Sequence, residues 1–273
     1  MDEGNSKGKV ISDRTMTLLF DTQYLFVRAL KKLIRNPILI FFSLFQPIIF
    51  LLLFTQLFTK FSEVPGLFPA GISYLSFASA GIMMQNAFSS ALQSGTSVVE
   101  DLNRGVLQKM LVTQVSRPAI LLGRLVTDAF RVTVQTIIIL ALAYALGFRV
   151  ETGIAGILLI IFLVAFFGLA WSGISLAIGL RTRNEETVFG IGAFLTFPLL
   201  FISTALVPTK AMPVWMQYVS NYNPISFAVN AVRDLSLPGY FSWSAEISAL
   251  LYIAFIALIT MGATLYLFRK VVT

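Results

Sequence analysis

Cysteine and histidine are both missing from the 273 residues of this chain. Without cysteine there is no disulfide framework and no thiolate metal site, and without histidine the chain lacks the most common general base and metal ligand. Charge is scarce as well, because Asp, Glu, Lys and Arg make up 12% of the residues, about half of the usual share of roughly 25%. Catalysis by the chain's own side chains is therefore not expected.

Apolar residues, in contrast, are abundant. They make up 57% of the chain, and the mean hydropathy is +0.83. A soluble domain of this size leaves about a quarter of its unfolded surface exposed, so it could not hide this much apolar surface, and a soluble enzyme is excluded. The net charge of +7 then has two explanations, nucleic-acid binding or membrane topology.

Charge-free stretches locate the membrane spans. Crossing a hydrocarbon core of about 30 Å takes roughly 20 helical residues, and seven charge-free stretches stand out on this scale. The stretch 211–232 is rich in proline, asparagine and serine, so we interpret it as something other than a span facing lipid. The six predicted spans cover about residues 37–59, 68–95, 125–148, 154–180, 187–208 and 246–268.

The basic residues indicate how these spans are oriented. Six spans place both termini on one side, and 16 of the 20 Lys and Arg residues would share that side. Lys and Arg near span ends favour the cytoplasm. The sequence thus predicts an all-α integral membrane protein with cytoplasmic N and C termini, whose positive charge sets topology and binds no nucleic acid. Residues 1–16 are predicted to form a mobile cytoplasmic tail and 17–273 a single transmembrane domain.

An amphipathic segment precedes the first span. Between Met16 and Ile34 apolar residues recur at helical spacing, while Arg28, Lys32 and Arg35 share the other side. This pattern predicts a helix on the inner membrane surface, where basic side chains meet lipid phosphates. An ordinary topology-setting flank is the alternative.

A second amphipathic segment lies between predicted spans 2 and 3. Apolar residues recur at positions 98, 102, 106 and 110, beside Glu100, Asp101 and Arg104, which predicts a short cytoplasmic helix over 98–109. This helix either docks on a partner or is a surface helix stabilised by a contact between Asp101 and Arg104. Spacing alone leaves both possibilities open.

A cytoplasmic charge cluster is predicted at the start of span 3. Arg124, Asp128 and Arg131 stand at i, i+4 and i+7 and therefore share one helix face. The charge-free run after them has only 17 residues, so the span is expected to begin near Leu125 and to carry the cluster into the headgroup layer. An acid between two bases favours a self-satisfied structural triad over a proton relay.

The predicted outer segment 211–238 combines aromatic residues with asparagine and proline. Tyr222-Asn223-Pro224 marks a break that is followed by a helix over about 225–235, and broken backbone at membrane depth needs shielding by protein. We interpret the segment as two short re-entrant or interfacial helices. The sequence contains no G-x-x-x-x-G-K-[ST] motif, so the chain is not expected to hydrolyse ATP itself.

Three groups of residues carry a family resemblance through their order and spacing. They are Glu100-Asp101-Leu102-Asn103-Arg104-Gly105 followed by Met110-Leu111-Val112-Thr113, Ser116-Arg117 and Leu122-Gly123-Arg124; Pro213-Val214-Trp215-Met216-Gln217 with Asn223-Pro224 and Ala231-Val232-Arg233; and Arg35-Asn36-Pro37 leading into Gln46-Pro47. Within one six-span chain they resemble the permease subunit of type-2 ABC transporters, in particular its daunorubicin-resistance-like multidrug export branch. The resemblance covers nearly all of the chain after Thr17.

The resemblance implies a permease that pairs with a second copy, in a homodimer or a related heterodimer, and binds two copies of a separate nucleotide-binding ATPase subunit. ATP and Mg would bind to that ATPase, and this chain would hold no cofactor and no metal. The coupling helix that contacts the ATPase would contain Val98, Val99, Glu100, Asp101, Leu102, Arg104, Gly105 and Leu107. The membrane-surface connecting helix beside it would contain Phe20, Tyr24, Arg28 and Lys32.

Polar or soft residues inside the apolar spans are candidates for the substrate path, because polar groups facing lipid are costly and Met and Phe form deformable linings. They are Gln46, Gln56, Met83, Met84, Gln85, Asn86, Phe194 and Phe197. The resemblance implies a path between two permease copies, lined by spans 1, 2 and 5, with the outer helices as its exit gate. Packing between spans explains any one of these residues equally well.

We expect a permease of the inner (plasma) membrane of a prokaryotic cell, surrounded by membrane lipids, that exports a hydrophobic or amphipathic drug, lipid or glycoconjugate. A polysaccharide or glycolipid exporter of the same architecture is the nearest alternative. An ion-coupled secondary transporter is disfavoured by the scarcity of carboxylates in the spans. A membrane-embedded enzyme is disfavoured by the missing histidine and cysteine.

Overall fold

The chain is built from helices. A computed structural model describes residues 3–58, 60, 64, 72–112, 115–237, 239 and 241–272, and every regular element in them is helical. The helices are α1 (Glu3–Ile34), α2 (Pro37–Leu57), α3 (Tyr74–Asn103), α4 (Val106–Leu111), α5 (Arg117–Ala145), α6 (Gly153–Thr182), α7 (Glu185–Phe201), α8 (Val214–Asn221), α9 (Pro224–Ser236) and α10 (Trp243–Val272), with a short 3₁₀ turn at Thr209–Ala211. The all-α prediction is confirmed for this part of the chain.

Four of these helices are long and apolar enough to cross a membrane. These helices are α2, α5, α6 and α10, and their candidate spans cover Ile40–Leu57, Pro118–Ala145, Gly153–Thr182 and Trp243–Lys270. The other two predicted spans correspond to α3 and α7. With 30 residues α3 is long enough, but serine, glutamine and asparagine lower its hydropathy, and α7 has only 17 residues. Length and composition therefore support four spans, and the count of six stays a prediction.

Several helix ends differ from the predicted span limits. The third span was expected to begin near Leu125, but α5 begins about two turns earlier, at Arg117, with Pro118 in its first turn. The fifth was expected to reach residue 208, but α7 ends at Phe201. Predicted limits at 59 and 68 lie outside the described residues. At the N terminus, α1 begins at Glu3 rather than near Met16, while the predicted mobility of residues 1–16 stays a prediction.

Most of α3 is buried, because α2, α5, α6, α7 and α9 all pack against it. One apolar core fills the middle of the bundle and the end near α9, where the Phe88 ring lies edge-on to Trp171 with centroids 4.6 Å apart. A second, smaller core lies at the opposite end, beside α1 and α4. We refer to these two ends as the α9 end and the α4 end.

Glycine permits the closest helix contact, between α3 and α6. A Cβ atom on Gly95 would lie 2.1 Å from Ser175 Oγ and 2.5 Å from the Ser175 carbonyl oxygen, and one on Gly179 would lie 2.8 Å from the Gly95 carbonyl oxygen. Small residues let helix backbones meet in this way, and the resulting dispersion contacts replace the hydrophobic force that is missing between helices in lipid. Ser175 Oγ also donates a hydrogen bond to the Leu92 carbonyl at 3.2 Å.

A single added methyl group at this contact should destabilise the fold. We expect Gly95→Ala to lower the free energy of unfolding by about 1–3 kcal/mol, because the Ser175 backbone would have to move. Gly262→Ala is the matched control, since a Cβ on Gly262 in α10 would meet nothing within 4 Å. Denaturant unfolding of the purified proteins in detergent measures the difference, and equal stability of the two variants would contradict this packing.

Candidate functional site

The predicted coupling segment is a helix end followed by a separate short helix. The α3 helix runs to Asn103, and α4 begins at Val106. Between them Gly105 adopts a φ of 68°, which is a left-handed conformation that favours glycine. The prediction of one helix over 98–109 is therefore wrong, because Gly105 turns the chain before the pattern is complete.

The apolar residues of this segment point into the protein. Val98, Val99, Leu102 and Leu107 are all buried in the core at the α4 end. The same core contains residues from α1, α5, α6, α7 and α10; they are Leu25, Ala119, Ile120, Leu121, Leu176, Leu180, Val188 and Phe268. The apolar stripe thus anchors the segment to its own chain and leaves its polar side to face outward.

The outward side of the segment forms a polar tip. Asn103, Arg104, Gln108 and Lys109 are exposed there, and Val112 just after α4 is 88% exposed. We call these five residues the α4 tip. Because the stripe beneath it is buried, the tip is held firmly on the end of α3.

Ion pairs tie the base of the tip to two other helices. Asp101 forms a salt bridge with Arg124 of α5, and these side chains are only 18% and 19% exposed. Lys32 Nζ of α1 lies 3.4 Å from Glu100 Oε2 and 3.7 Å from Asp101 Oδ1. Arg104 pairs with Glu100 at 2.9 Å, so the predicted contact between Asp101 and Arg104 is replaced by one with Glu100, which stands the favourable four residues away.

The predicted charge cluster divides into two parts. Asp128 is buried, pairs with Arg131 at 3.0 Å, and accepts a hydrogen bond from the Ser94 hydroxyl. Arg131 also donates to the Ser90 hydroxyl and carbonyl at 2.8 and 2.7 Å. Arg124 turns away from Asp128 towards Asp101. The acid thus has one basic partner instead of two, and its satisfied contacts favour the structural interpretation over a proton relay.

The predicted connecting helix crosses the α4 end of the bundle. Leu25 of α1 is buried, and its Cβ packs against Gly123 of α5. The other predicted connecting-helix residues, Phe20, Tyr24, Arg28 and Lys32, are exposed. A second attachment comes from Asp21, whose Oδ2 accepts a hydrogen bond from the Ser116 backbone N–H at 2.9 Å, just before α5. Sequence reasoning missed Asp21, because nothing in the local pattern points to a partner 95 positions away.

Two cavities lie along α3. The larger one, of about 290 Å³ at the α4 end between α1, α3 and α5, is bordered by charged side chains that include Arg28, Lys32, Asp101 and Asp128. The smaller one, of about 180 Å³, lies between α2, α3 and α5 and is bordered by uncharged polar side chains. Gln93 borders both cavities. The two cavities therefore follow one another along the same helix.

The candidate substrate-path residues occupy three different environments. Gln46, Gln56, Phe194 and Phe197 are exposed on α2 and α7. Gln85 and Asn86 are buried polar residues of α3. Met83 and Met84 are fully buried in the apolar core. Of all eight, only Gln46 and Asn86 border a described cavity, namely the smaller one.

The two short helices predicted after α7 are present as α8 and α9. Asn223 caps α9 by accepting a hydrogen bond from the Ile225 N–H at 2.9 Å, and it donates one to the Leu199 carbonyl at 2.6 Å. Buried Arg233 donates to the Thr204 carbonyl at 2.7 Å and stacks 3.6 Å above the centre of the Phe77 ring. Burial lowers the pKa of Arg233 to about 9, so it stays charged at neutral pH. Arg233 therefore joins α9 to α3 and to the turn after α7.

The largely buried salt bridge between Asp101 and Arg124 should stabilise the protein more than the exposed one between Glu100 and Arg104. For Asp101→Ala and Arg124→Ala we expect a double-mutant coupling energy of about 1–3 kcal/mol, because each single change leaves a shielded charge without its partner. The i, i+4 pair of Glu100 and Arg104 is the control, with an expected coupling of about 0.3–0.5 kcal/mol. Unfolding of both sets of variants in detergent measures these energies, and equal couplings would contradict the network.

Comparison with known proteins identifies the family. Residues 21–237 match the model of the ABC-2 type transporter membrane family. A daunorubicin resistance ABC transporter permease protein of Streptomyces coeruleorubidus is 32% identical over 209 residues, which are 76% of this chain and 72% of the relative.

Two further relatives support the same assignment. A protein of Cyanophora paradoxa, named as a transport permease, is 32% identical over 81% of this chain and 77% of its own length. A protein of Mycobacterium tuberculosis, named as a doxorubicin resistance ABC transporter permease protein, is 30% identical over 56% of each chain. The family match includes α3, the α4 tip, the smaller cavity and α9. The chain therefore belongs to the ABC-2 type transporter membrane family.

Proposed function

We propose that this chain is the membrane-embedded permease subunit of an ATP-driven exporter, and that it moves a hydrophobic or amphipathic substrate such as a drug, lipid or glycoconjugate outward. Its family membership and the names of its relatives support this function. A separate ATPase subunit binds ATP and Mg and supplies the energy, while this chain provides the path and carries out no chemistry.

The observation that carries the proposal is the exposed, firmly anchored α4 tip. A partner that pushes on the tip acts on a segment whose apolar side is buried and whose base is fixed by Asp101, Arg124 and Lys32. Movement of the tip is thus transmitted to α1, α3 and α5 together. In this proposal α3 and α4 form the coupling element, and α1 is the connecting helix beside it.

The complete exporter contains two permease copies and two ATPase copies in this proposal. Aromatic side chains are exposed along α2 and α7. Exposed apolar surface of this kind in a membrane protein contacts either lipid or another subunit. The second permease is an identical or related chain. The path between the copies passes the exposed candidate residues Gln46, Gln56, Phe194 and Phe197.

The topology we propose has six spans, with α3 and α7 added to the four apolar helices. The polar side chains of α3 are mostly buried among its neighbours, so they do not face lipid even though they lower the hydropathy of the helix. The N and C termini and the α4 end are cytoplasmic, in agreement with the positions of the basic residues. The membrane is the plasma membrane of a prokaryotic cell in this proposal, although relatives also include a protein of Cyanophora paradoxa.

A cysteine-free chain allows a direct test of this topology. We expect the single variants Gln108→Cys and Arg181→Cys to react with an impermeant maleimide only after the cells are opened, because both residues are exposed at the α4 end. Glu151→Cys and Tyr218→Cys, exposed near the α9 end, should react in intact cells. The cysteine-free parent is the control, and the same labelling pattern at both ends would contradict six spans.

Docking at the α4 tip can be tested through Lys109, which is exposed and has no ion-pair partner among the described residues. We expect Lys109→Glu to weaken association with the ATPase subunit about tenfold, by reversing a charge at the contact while the fold stays intact. The readouts are co-purification of the two subunits from membranes and transport-coupled ATP hydrolysis.

The matched control for this experiment is Arg181→Glu. It reverses an exposed charge at the same end of the bundle but outside the tip, so it should leave association unchanged. Normal association of the Lys109→Glu permease, or equal loss in both variants, would remove the α4 tip from the contact.

A further inference from the structure

The smaller cavity is bordered almost entirely by uncharged hydrogen-bonding groups. Seven of its eight bordering side chains are serine, asparagine or glutamine, and the eighth is Phe42. They come from three helices, with Gln46 on α2, Gln93 on α3 and Gln135 on α5 as the largest polar members. We call this space the amide cavity. In a bundle that packs mainly through apolar residues, such a concentration of amides requires a reason.

One wall of the amide cavity is held in a fixed orientation. Gln135 Nε2 donates a hydrogen bond to Ser43 Oγ at 3.0 Å, and Asn86 Nδ2 donates one to Gln135 Oε1 at 3.3 Å. Both amide residues are almost fully buried. Their mutual bonds determine which way each amide faces, so the wall is ready to receive a ligand without rearrangement.

The opposite side of the amide cavity has unused hydrogen-bonding capacity. The side chains of Gln46, Ser89 and Gln93 make no hydrogen bond within the described part of the chain. Gln46 lies nine positions into α2 after Pro37, or about 14 Å along the helix, which is near the middle of a hydrocarbon core of about 30 Å. At that depth polar groups without partners are costly, so a bound molecule is the natural source of those partners.

The charges next to the cavity cancel each other. Arg131 lies just beyond Ser90 and is paired with Asp128, and none of the side chains that border the cavity is charged. An ionic ligand would therefore have to leave water for a site without a counter-charge. The arrangement selects an uncharged group that both donates and accepts hydrogen bonds.

Size indicates that only part of a ligand enters. The cavity of about 180 Å³ is smaller than the roughly 300–1,000 Å³ that encloses a drug-sized molecule. Phe41, Phe42 and Phe45 of α2 are exposed beside it and offer apolar surface for the remainder. Gln93 borders both this cavity and the larger one at the α4 end, so the two cavities are neighbours along α3.

We propose that the amide cavity binds the neutral, hydroxyl-bearing head group of an amphipathic molecule, such as a sugar ring, while its apolar tail stays against α2. Gln46, Ser89 and Gln93 contact the head group, and Gln135 and Asn86 are positioning residues that hold the opposite wall. This assignment rests on the proposed function only in treating the bound molecule as cargo, because binding itself needs no ATPase.

Binding to the full-length permease in lipid nanodiscs tests the assignment. Three fluorescent probes share one short acyl tail and carry a glucosyl, a phosphate or a trimethylammonium head. We expect the glucosyl probe to bind at least about tenfold more tightly than the two charged probes. Gln46→Leu and Gln93→Leu should each weaken glucosyl binding about fivefold, which is the effect of one lost hydrogen bond, and should leave the charged probes unaffected.

Gln23→Leu is the matched control, because Gln23 is an exposed amide on α1 that borders neither cavity. It should bind the glucosyl probe as the parent does. Equal binding of the three probes, equal loss in Gln46→Leu and Gln23→Leu, or lost permease dimerisation with unchanged probe binding in Gln46→Leu would overturn the assignment. If Gln93→Leu does not fold, Gln46→Leu alone decides.

Failure of this assignment can be separated from failure of the proposed function. If the permease binds the glucosyl probe but shows no ATP-dependent export in proteoliposomes containing the ATPase, the proposed exporter function is contradicted and the cavity assignment stands. If amphipathic probes are exported without any preference for the glucosyl head, the proposed exporter function stands and the cavity assignment is overturned.

Discussion

The contact of α3 with α6 at Gly95 and Gly179 is the constraint on which the rest of the structure depends. The two backbones approach so closely that a Cβ atom on either glycine would clash with the other helix, and in lipid such close contact must supply the stability that burial of apolar surface provides in water. Since α3 is fixed in this way, α2, α4, α5, α7, α9 and α10 are placed by their contacts with α3 or α6, while α1 packs mainly on α5 and α8 on α9. Both cavities and the α4 tip lie along α3, so the placement of α3 determines where they lie.

The polar residues of α3 change character along the helix. At the α4 end its acids, Glu100 and Asp101, pair with Lys32, Arg104 and Arg124. Towards the middle it carries amides and hydroxyls. The charged part can bind a soluble partner and the neutral part can receive an uncharged ligand, because a membrane makes charge increasingly costly with depth. The low hydropathy of α3, which removes it from the set of obvious spans, is thus the consequence of what it carries.

Sequence reasoning predicted the elements that depend on local signals. Charge-free runs located α2, α5, α6 and α10, and the Asn223-Pro224 pair predicted α9, because caps, prolines and apolar runs act over a few residues. It missed the break at Gly105, since a glycine at this position is compatible with a helix until its φ is known. The partner of Asp101 could not be found either, because Arg124 comes from another helix, and the burial of the Val98 and Leu102 stripe depends on tertiary packing. Of the residues that border the amide cavity, sequence reasoning had selected only Gln46 and Asn86.

One uninterrupted helix connects the proposed ATPase contact to the amide cavity. Asn86 and Asn103 are both in α3, 17 residues apart, which is about 25 Å at 1.5 Å per residue. A helix transmits displacement along its axis with little loss, but the α3–α6 contact prevents α3 from moving without α6. Force at the tip therefore moves α3 and α6 as one body, and relative motion is left to α2, which is packed less tightly. Since α2 supplies Ser43 and Gln46 to the amide cavity, this motion would move these two side chains away from those of α3 and α5 and release a bound head group.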